Sequence, residues 1–322
     1  MIAAEGLTKV FGGREQEFLA VDALDLEVDE GEVFGFLGPN GAGKTTTVRM
    51  LATLVGASSG RAWVNGIQIG AGRDAEIRAR IGILTESPGL YERLSAEHNL
   101  RIFAELYGCA DPAGQVEKYL RLLGLWERRD DPAGTFSKGM KQKLAIARAL
   151  VHEPAVVFLD EPTSGLDPEA SKNVCDFVET LRGQGRTIFL CTHNLDEAER
   201  LCDRVGVFQQ RLIAVDSPDA LRRQLFGRQT VVQLAPDSPV LDPQRLAELL
   251  PGIEPATVVA GDEQNGVQLI FTVRQPHAEN PEIVRALVGC GARIEAVTEV
   301  HHSLEDVYLS LIRDGAAQEG VR

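Results

Sequence analysis

The sequence lacks any apolar run approaching the roughly 18 residues of a membrane span, so any membrane connection has to pass through a partner. Its opening, MIAAEGLTKV, has neither the basic nor the apolar region of a secretory signal. Basic charge is scarce: 33 Lys and Arg stand against 47 Asp and Glu, a net charge of −14. That balance argues against broad affinity for nucleic acid or anionic lipid, while leaving room for a local basic patch. Cysteines are few and scattered. Cys109, Cys175, Cys191, Cys202 and Cys290 form no C-x-x-C pair, which fits small buried hydrophobes in a reducing cytosol better than a disulfide framework. Internal repeats and low-complexity segments are missing as well. What is there is ordinary for a soluble globular chain: 322 residues, 44% apolar and 25% charged, long enough for two domains.

Residues 1 to about 225 alternate short apolar strands with helical stretches, the pattern of an α/β domain around a largely parallel sheet. EVFGFLG (Glu32 to Gly38) reads as a buried strand running into a glycine loop, with a helix from Thr45 to Leu54. AVVFLDE and RTIFLCTH are two further buried strands, and the region from Ser95 to Ala149 between them and the loop is helix-rich. After Pro218 the composition shifts. From Thr230 the order reads strand (TVVQL), helix (PQRLAELL), strand (ATVVA), strand (VQLIFTV), helix (PEIVRALV), strand (RIEAVTEV), then a last helix, SLEDVYLSLI. That βαββαβ order predicts a small α+β, ferredoxin-like module over 226–314, with a frayed tail at 315–322.

Three elements carry chemistry. Gly38-Pro39-Asn40-Gly41-Ala42-Gly43-Lys44-Thr45 satisfies G-x-x-x-x-G-K-[ST] between a strand and a helix. Its glycines let successive N–H groups turn toward phosphate oxygens, Lys44 reaches the β- and γ-phosphates, the Thr45 hydroxyl suits Mg²⁺, and Thr46 adds another hydroxyl. In VVFLDEP, four apolar residues bury a strand that delivers Asp160 and Glu161 to its C-terminal end, where open α/β sheets bind ligands. Asp160 is placed to hold Mg²⁺, directly or through water, and Glu161 to orient or deprotonate an attacking water. Third, Ser137 caps an amphipathic helix, MKQKLAIARAL, with Gly139 permitting close backbone approach.

From Phe136 to Asp167 the chain reads FSKGMKQKLAIARALVHEPAVVFLDEPTSGLD, which resembles the signature, Walker B and D-loop block of ATP-binding-cassette (ABC) ATPases. The resemblance covers residues 1 to about 225, with every motif in order. It implies a P-loop ABC ATPase domain using ATP and Mg²⁺, with Glu161, His193 and Lys44 as catalytic residues. In that family two nucleotide domains pack head to tail, so Ser137 and Gly139 would meet the γ-phosphate held by a second copy. The resemblance also assigns Asp167 to the D-loop and His193, in CTHNLDEAE, to the switch histidine. Phe11 falls at the adenine-stacking position, although a core phenylalanine fits that residue about as well. Phe136, Lys138 and Met140 depart from the family's Leu-Ser-Gly-Gly-Gln, as in drug- and ion-export members. Glu86 stands where the family usually has a glutamine. Its carboxylate, acceptor-only when ionised, either joins the Mg²⁺ site or faces the partner. Leu90, Tyr91 and Leu94 are candidates for a groove receiving a permease helix, or for local packing.

The C-terminal module looks like the extension on ATP-binding subunits of antibiotic, multidrug and sodium exporters, the daunorubicin-resistance type included. The resemblance therefore implies a homodimer on the cytoplasmic side of the cell membrane beneath separate permease subunits, with ATP closing the dimer and hydrolysis reopening it. The alternatives are a soluble, non-transport ABC ATPase and an ATP-gated regulatory or sequestering module.

Overall fold

The structure is a computed structural model, and it describes residues 1–13, 16–239, 248–250, 253, 257–259, 267–300 and 302–319. The chain divides into two compact units, Met1–Pro218 and Asp219–Arg322, at the start of the helix Pro218–Phe226 and just ahead of the expected boundary at 225/226.

In chain order the first unit contains the strands β1 (Ile2–Gly13), β2 (Gln16–Val28), β3 (Val33–Leu37), β4 (Ser59–Val64) and β5 (Ile67–Gln68). There follow β6 (Ile81–Leu84), β7 (Val156–Asp160), β8 (Thr187–Thr192), β9 (Arg204–Gln209) and β10 (Arg211–Asp216). Six of them form one sheet in the order β10-β9-β3-β8-β7-β6, parallel except for β10. Every residue of β3, β7 and β8 is buried, as expected of parallel strands covered on both faces, and this is why they read as unbroken apolar runs. A second sheet, β2-β1-β4-β5, is antiparallel. There Leu24, Leu26 and Val28 point inward while Asp25 and Glu27 are exposed, the alternation of a half-solvated sheet. The sequence reading anticipates the parallel sheet but does not separate this antiparallel one from it.

The inner face of the antiparallel sheet (Ile2, Leu24, Leu26, Val64) shares one core with Phe34, Phe36, Phe189 and Phe208 of the parallel sheet. Phe36 lies with ring centroids 5.2 Å from Phe189 and 4.5 Å from Phe208. Burying such a ring contributes about 1.5–3 kcal/mol. Val48, Met50 and Leu51 of the helix Lys44–Leu51 enter the same core, so the glycine loop preceding that helix is anchored on rigid packing.

The helix-rich stretch comprises Ala96–Leu106, Pro112–Leu122 and Lys138–Leu150. Asn99, fully buried, organises the loop before it: its side chain accepts from the Tyr91 N–H at 2.9 Å and donates to the carbonyls of Tyr91, Leu94 and Ser95.

In the second unit β11 (Arg228–Leu234), β12 (Thr257–Val259), β13 (Gln268–Val273) and β14 (Ile294–Glu299) form an antiparallel sheet in the order β12-β13-β11-β14. Its first and third strands are central and its second and fourth are edges, the arrangement of a ferredoxin-like split βαβ. Val232, Leu234, Leu269 and Phe271 share a core with Ile283 and Leu287 of the helix Pro276–Gly289. The expected helix at 243–250 lies outside the described residues apart from 248–250. The last helix, Leu304–Glu319, runs through the first residues of the expected tail.

Candidate nucleotide site

The glycine loop follows β3 directly, and close packing dictates its composition. A Cβ on Gly38 would sit 2.2 Å from the Phe208 carbonyl oxygen. One on Gly43 would sit 2.2 Å from that of Ala20, and Gly43 also has φ +104°, a left-handed conformation that side chains disfavour. Gly43 is the N-cap of the helix Lys44–Leu51 and offers no side-chain acceptor. The first N–H groups of this helix are therefore left for a ligand, and an anion suits them best.

Lys44, 6% exposed, folds back over its own loop. Its ammonium donates to the carbonyls of Gly38 at 2.6 Å and Pro39 at 3.3 Å, and lies 3.6 Å from Glu161 Oε1. Beside it the Thr45 hydroxyl donates to Asp160 Oδ2 at 2.8 Å. Burial pushes the Asp160 carboxyl above the ordinary aspartate range; the Thr45 bond and Lys44 oppose this, while the charges of Glu161 and Glu86 add to it. Asp160 Oδ1 and Glu161 Oε1 are buried without a hydrogen-bond partner, a costly arrangement that a bound cation or ligand would relieve.

Glu161 leaves β7 with φ +52°, a strained conformation for a non-glycine residue and one that clusters at functional sites. Its N–H still donates to the Cys191 carbonyl at 2.9 Å, so the turn is fixed against β8. Its Oε2 lies 2.7 Å from Nδ1 of His193, which follows β8 and is half-exposed. With Glu161 ionised, the proton of this bond sits on Nδ1, which leaves Nε2 as the acceptor nitrogen of the ring.

These groups border a cavity of about 470 Å³, within the range of ordinary small-molecule sites. Residues 39–46, Glu86, Asp160 and Glu161 line it, together with Phe18 and Ala20 of β2. The structure thus brings together Pro39, Asn40, Gly41, Ala42, Gly43, Lys44, Thr45, Thr46, Glu86, Asp160 and Glu161, with Gly38 as an acceptor beneath them and His193 joined through Glu161. Ser137, Gly139, Asp167 and Phe11 are not among the lining residues. Ser137 accepts from the Met140 N–H at 3.2 Å as a helix cap. Gly139 lets its helix approach Ala170: a Cβ there would lie 3.0 Å from the Ala170 Cβ. Asp167 caps the helix Pro168–Gly183, accepting from the Ala170 N–H at 2.8 Å.

Phe11 pairs directly across the β1–β2 hairpin with Phe18 and carries the Lys9 ammonium 4.9 Å from its ring centroid. Sequence reasoning missed Phe18. The hairpin register that sets it opposite Phe11 is its one signal, and that register becomes visible only once the two strands are paired.

Comparison with known proteins bears on the whole chain. Residues 21–164 match the family model described as ABC transporter. The daunorubicin resistance ATP-binding protein DrrA2 of Streptomyces coeruleorubidus is 35% identical over 313 residues, 96% of this chain and 94% of that protein. The chain belongs to the ABC transporter family. The Nod factor export ATP-binding protein I of Cupriavidus metallidurans is 37% identical over 97% of both chains. Among solved structures, cbiO1 from Clostridium perfringens, part of the ABC transporter complex cbiONQ, superposes with a TM-score of 0.62 at 28% identity, covering 68% of this chain and 89% of that one. As an ABC ATP-binding subunit the protein binds and hydrolyses ATP.

Proposed function

We propose that the protein works as an ATP-driven homodimer that powers export of a drug, antibiotic, lipid or ion through separate permease subunits. Its place would be the cytoplasmic face of the membrane. The observation that carries the dimer is an incomplete site: Lys44, Asp160 and Glu161 line one cavity, with His193 joined to it through Glu161, while Ser137 and Gly139 lie outside it. A head-to-tail pair would bring the Ser137 helix start of each copy to the other's cavity. Support for export comes from relatives named for daunorubicin resistance and Nod factor export, each matched over nearly the whole chain. Among the described residues no helix is long and apolar enough to cross a membrane, which fits a separate permease.

Mg²⁺ fits the residues present. Asp160 Oδ1 is buried and unpartnered, its Oδ2 accepts from the Thr45 hydroxyl, and Glu86 lines the same cavity, so the oxygens gathered there are of the kind a hard cation takes. Thr45 and Asp160 would hold the ion, which would offset phosphate charge. For ATP to enter, the Lys44 ammonium exchanges the Gly38 and Pro39 carbonyls for the β- and γ-phosphates. Glu161, held at His193, orients a water and takes its proton, and the outer edge of His193 meets the γ-phosphate. A γ-phosphate gripped by two chains binds the closed pair better than the open one, which is what a ligand-driven switch requires.

Glu161→Gln tests this reading. It should bind ATP, form an ATP-dependent dimer in light scattering, and turn over about 10²–10⁴-fold more slowly. Wild-type turnover in this variant would remove Glu161 from the mechanism. Failure of the full chain to co-purify with a membrane permease would remove the transport assignment.

A further inference from the structure

Behind the site lies a carboxylate that the hydrolysis scheme leaves unused. Glu197 belongs to the helix Leu195–Leu201, which starts just after His193, and it is only 7% exposed. Carboxylates are almost never buried without partners, and its partners are unusual in where they come from. Asn194 Nδ2 donates to Oε1 at 3.0 Å, the Thr192 hydroxyl reaches Oε2 at 3.5 Å, and the Thr163 hydroxyl donates to Oε1. Burial raises its pKa above the ordinary glutamate value, and the bonds from Thr163, Asn194 and Thr192 oppose that.

Glu197 stands three residues after the N-cap Asn194, the position of a capping-box glutamate, whose side chain serves the start of its own helix. Here the carboxylate also reaches across to Thr163, on the turn that follows Glu161 and precedes Asp167. That turn is pinned on another side by the signature helix: Gln142, 6% exposed, donates its Nε2 to the Pro162 carbonyl at 2.7 Å. Pro162 and Thr163 are thus gripped by Gln142 and by Glu197, and the residue before them is Glu161.

We propose that Glu197 is a positioning residue for ATP hydrolysis, clamping the His193 segment onto the Pro162–Thr163 turn so that His193 meets Glu161. Thr192 and Asn194 flank His193, and Thr163 lies two residues beyond Glu161, so this one carboxylate fixes both ends of the 2.7 Å His193–Glu161 contact. Releasing it lets the imidazole drift while leaving the glycine loop and Lys44 in place. The inference rests on the reading that Glu161 and His193 act on bound ATP.

The test uses the full-length chain and steady-state ATPase kinetics, with direct ATP binding and thermal unfolding measured alongside. Thr163→Val removes only the hydroxyl that bonds Glu197, and Thr163→Ser restores one. A misplacement of about 1 Å costs on the order of 100-fold in rate, so Thr163→Val and Glu197→Gln should each lower kcat by about 10- to 100-fold. KM and ATP affinity should stay near wild type, and Thr163→Ser should recover most of the turnover. Because Thr163 acts through Glu197, the double variant should be no slower than Glu197→Gln alone. Unchanged kcat in Thr163→Val overturns the inference, and so do losses of kcat, affinity and melting temperature that move together without rescue by serine. Glu161→Gln serves as the separate control. Wild-type turnover there would defeat the underlying reading, whereas a slow Glu161→Gln beside a fast Thr163→Val would defeat only the role of Glu197.

Discussion

The cavity at Lys44 and the helix start at Ser137 both offer phosphate-binding chemistry, and they are built in opposite ways. In the cavity Lys44, Asp160 and Glu161 are largely buried and already engaged: Lys44 with its loop carbonyls and Glu161, Asp160 with Thr45, Glu161 with His193. At the helix start Ser137 is exposed, and among the described residues its hydroxyl accepts from the Met140 N–H alone. On the proposed reading, a phosphate enters the first region by displacing internal partners and approaches the second from outside the chain. The contrast explains why one region alone looks finished.

The sharpest way to break that contrast is to damage each side in a different chain. Lys44→Ala and Ser137→Ala should each reduce turnover by about 100-fold or more, since each removes a donor to a phosphate in the reacting complex. If the two regions meet only across a dimer, mixing the variants creates pairs with one undamaged composite site. ATPase activity should then reappear in the mixture although neither variant works alone. An inactive mixture would mean that Lys44 and Ser137 serve the same phosphate within one chain.

The cavity side of this contrast was legible because its residues are contiguous. Gly38 to Thr45 form one motif and Asp160-Glu161 end one apolar strand, so spacing along the chain nearly equals proximity in space. The parallel strands β3, β7 and β8 were legible for a related reason: two covered faces leave an unbroken apolar run. What escaped depends on pairing between distant segments. The antiparallel sheet is set by the β1–β2 and β1–β4 registers, Phe18 reaches the cavity through one of them, and Glu197 finds Thr163 34 residues away. In sequence Glu197 is one acid among several in NLDEAE, and only burial distinguishes it from Asp196 and Glu199.

Phe11 and Phe18 carry the contrast to the hairpin beside the cavity, where the proposed function puts adenine. The two residues pair across the hairpin, yet of the two it is Phe18 that lines the cavity. Base–aromatic stacking is worth about 1–3 kcal/mol, so Phe18→Ala should raise the KM for ATP by roughly 5- to 100-fold with kcat little changed. Phe11→Ala should do less, since the Lys9 ammonium already occupies a face of its ring. The reverse ranking, measured by nucleotide titration, would return the adenine platform to Phe11.

The smallest expected effect lies on the open side, at Asp167. Its carboxylate caps the helix Pro168–Gly183 through the Ala170 N–H, and removing such a cap costs about 1 kcal/mol. Asp167→Ala should therefore melt a few degrees below wild type, whereas Asp167→Asn, an equally good cap, should not. Turnover adds the second axis. If capping is the whole role, Asp167→Asn hydrolyses ATP like wild type and the helix start is simply a well-made helix start. If the carboxylate also meets the second copy, Asp167→Asn keeps its melting temperature and loses turnover. That split between stability and rate would place Asp167 with Ser137, among the residues whose working partner lies outside their own chain.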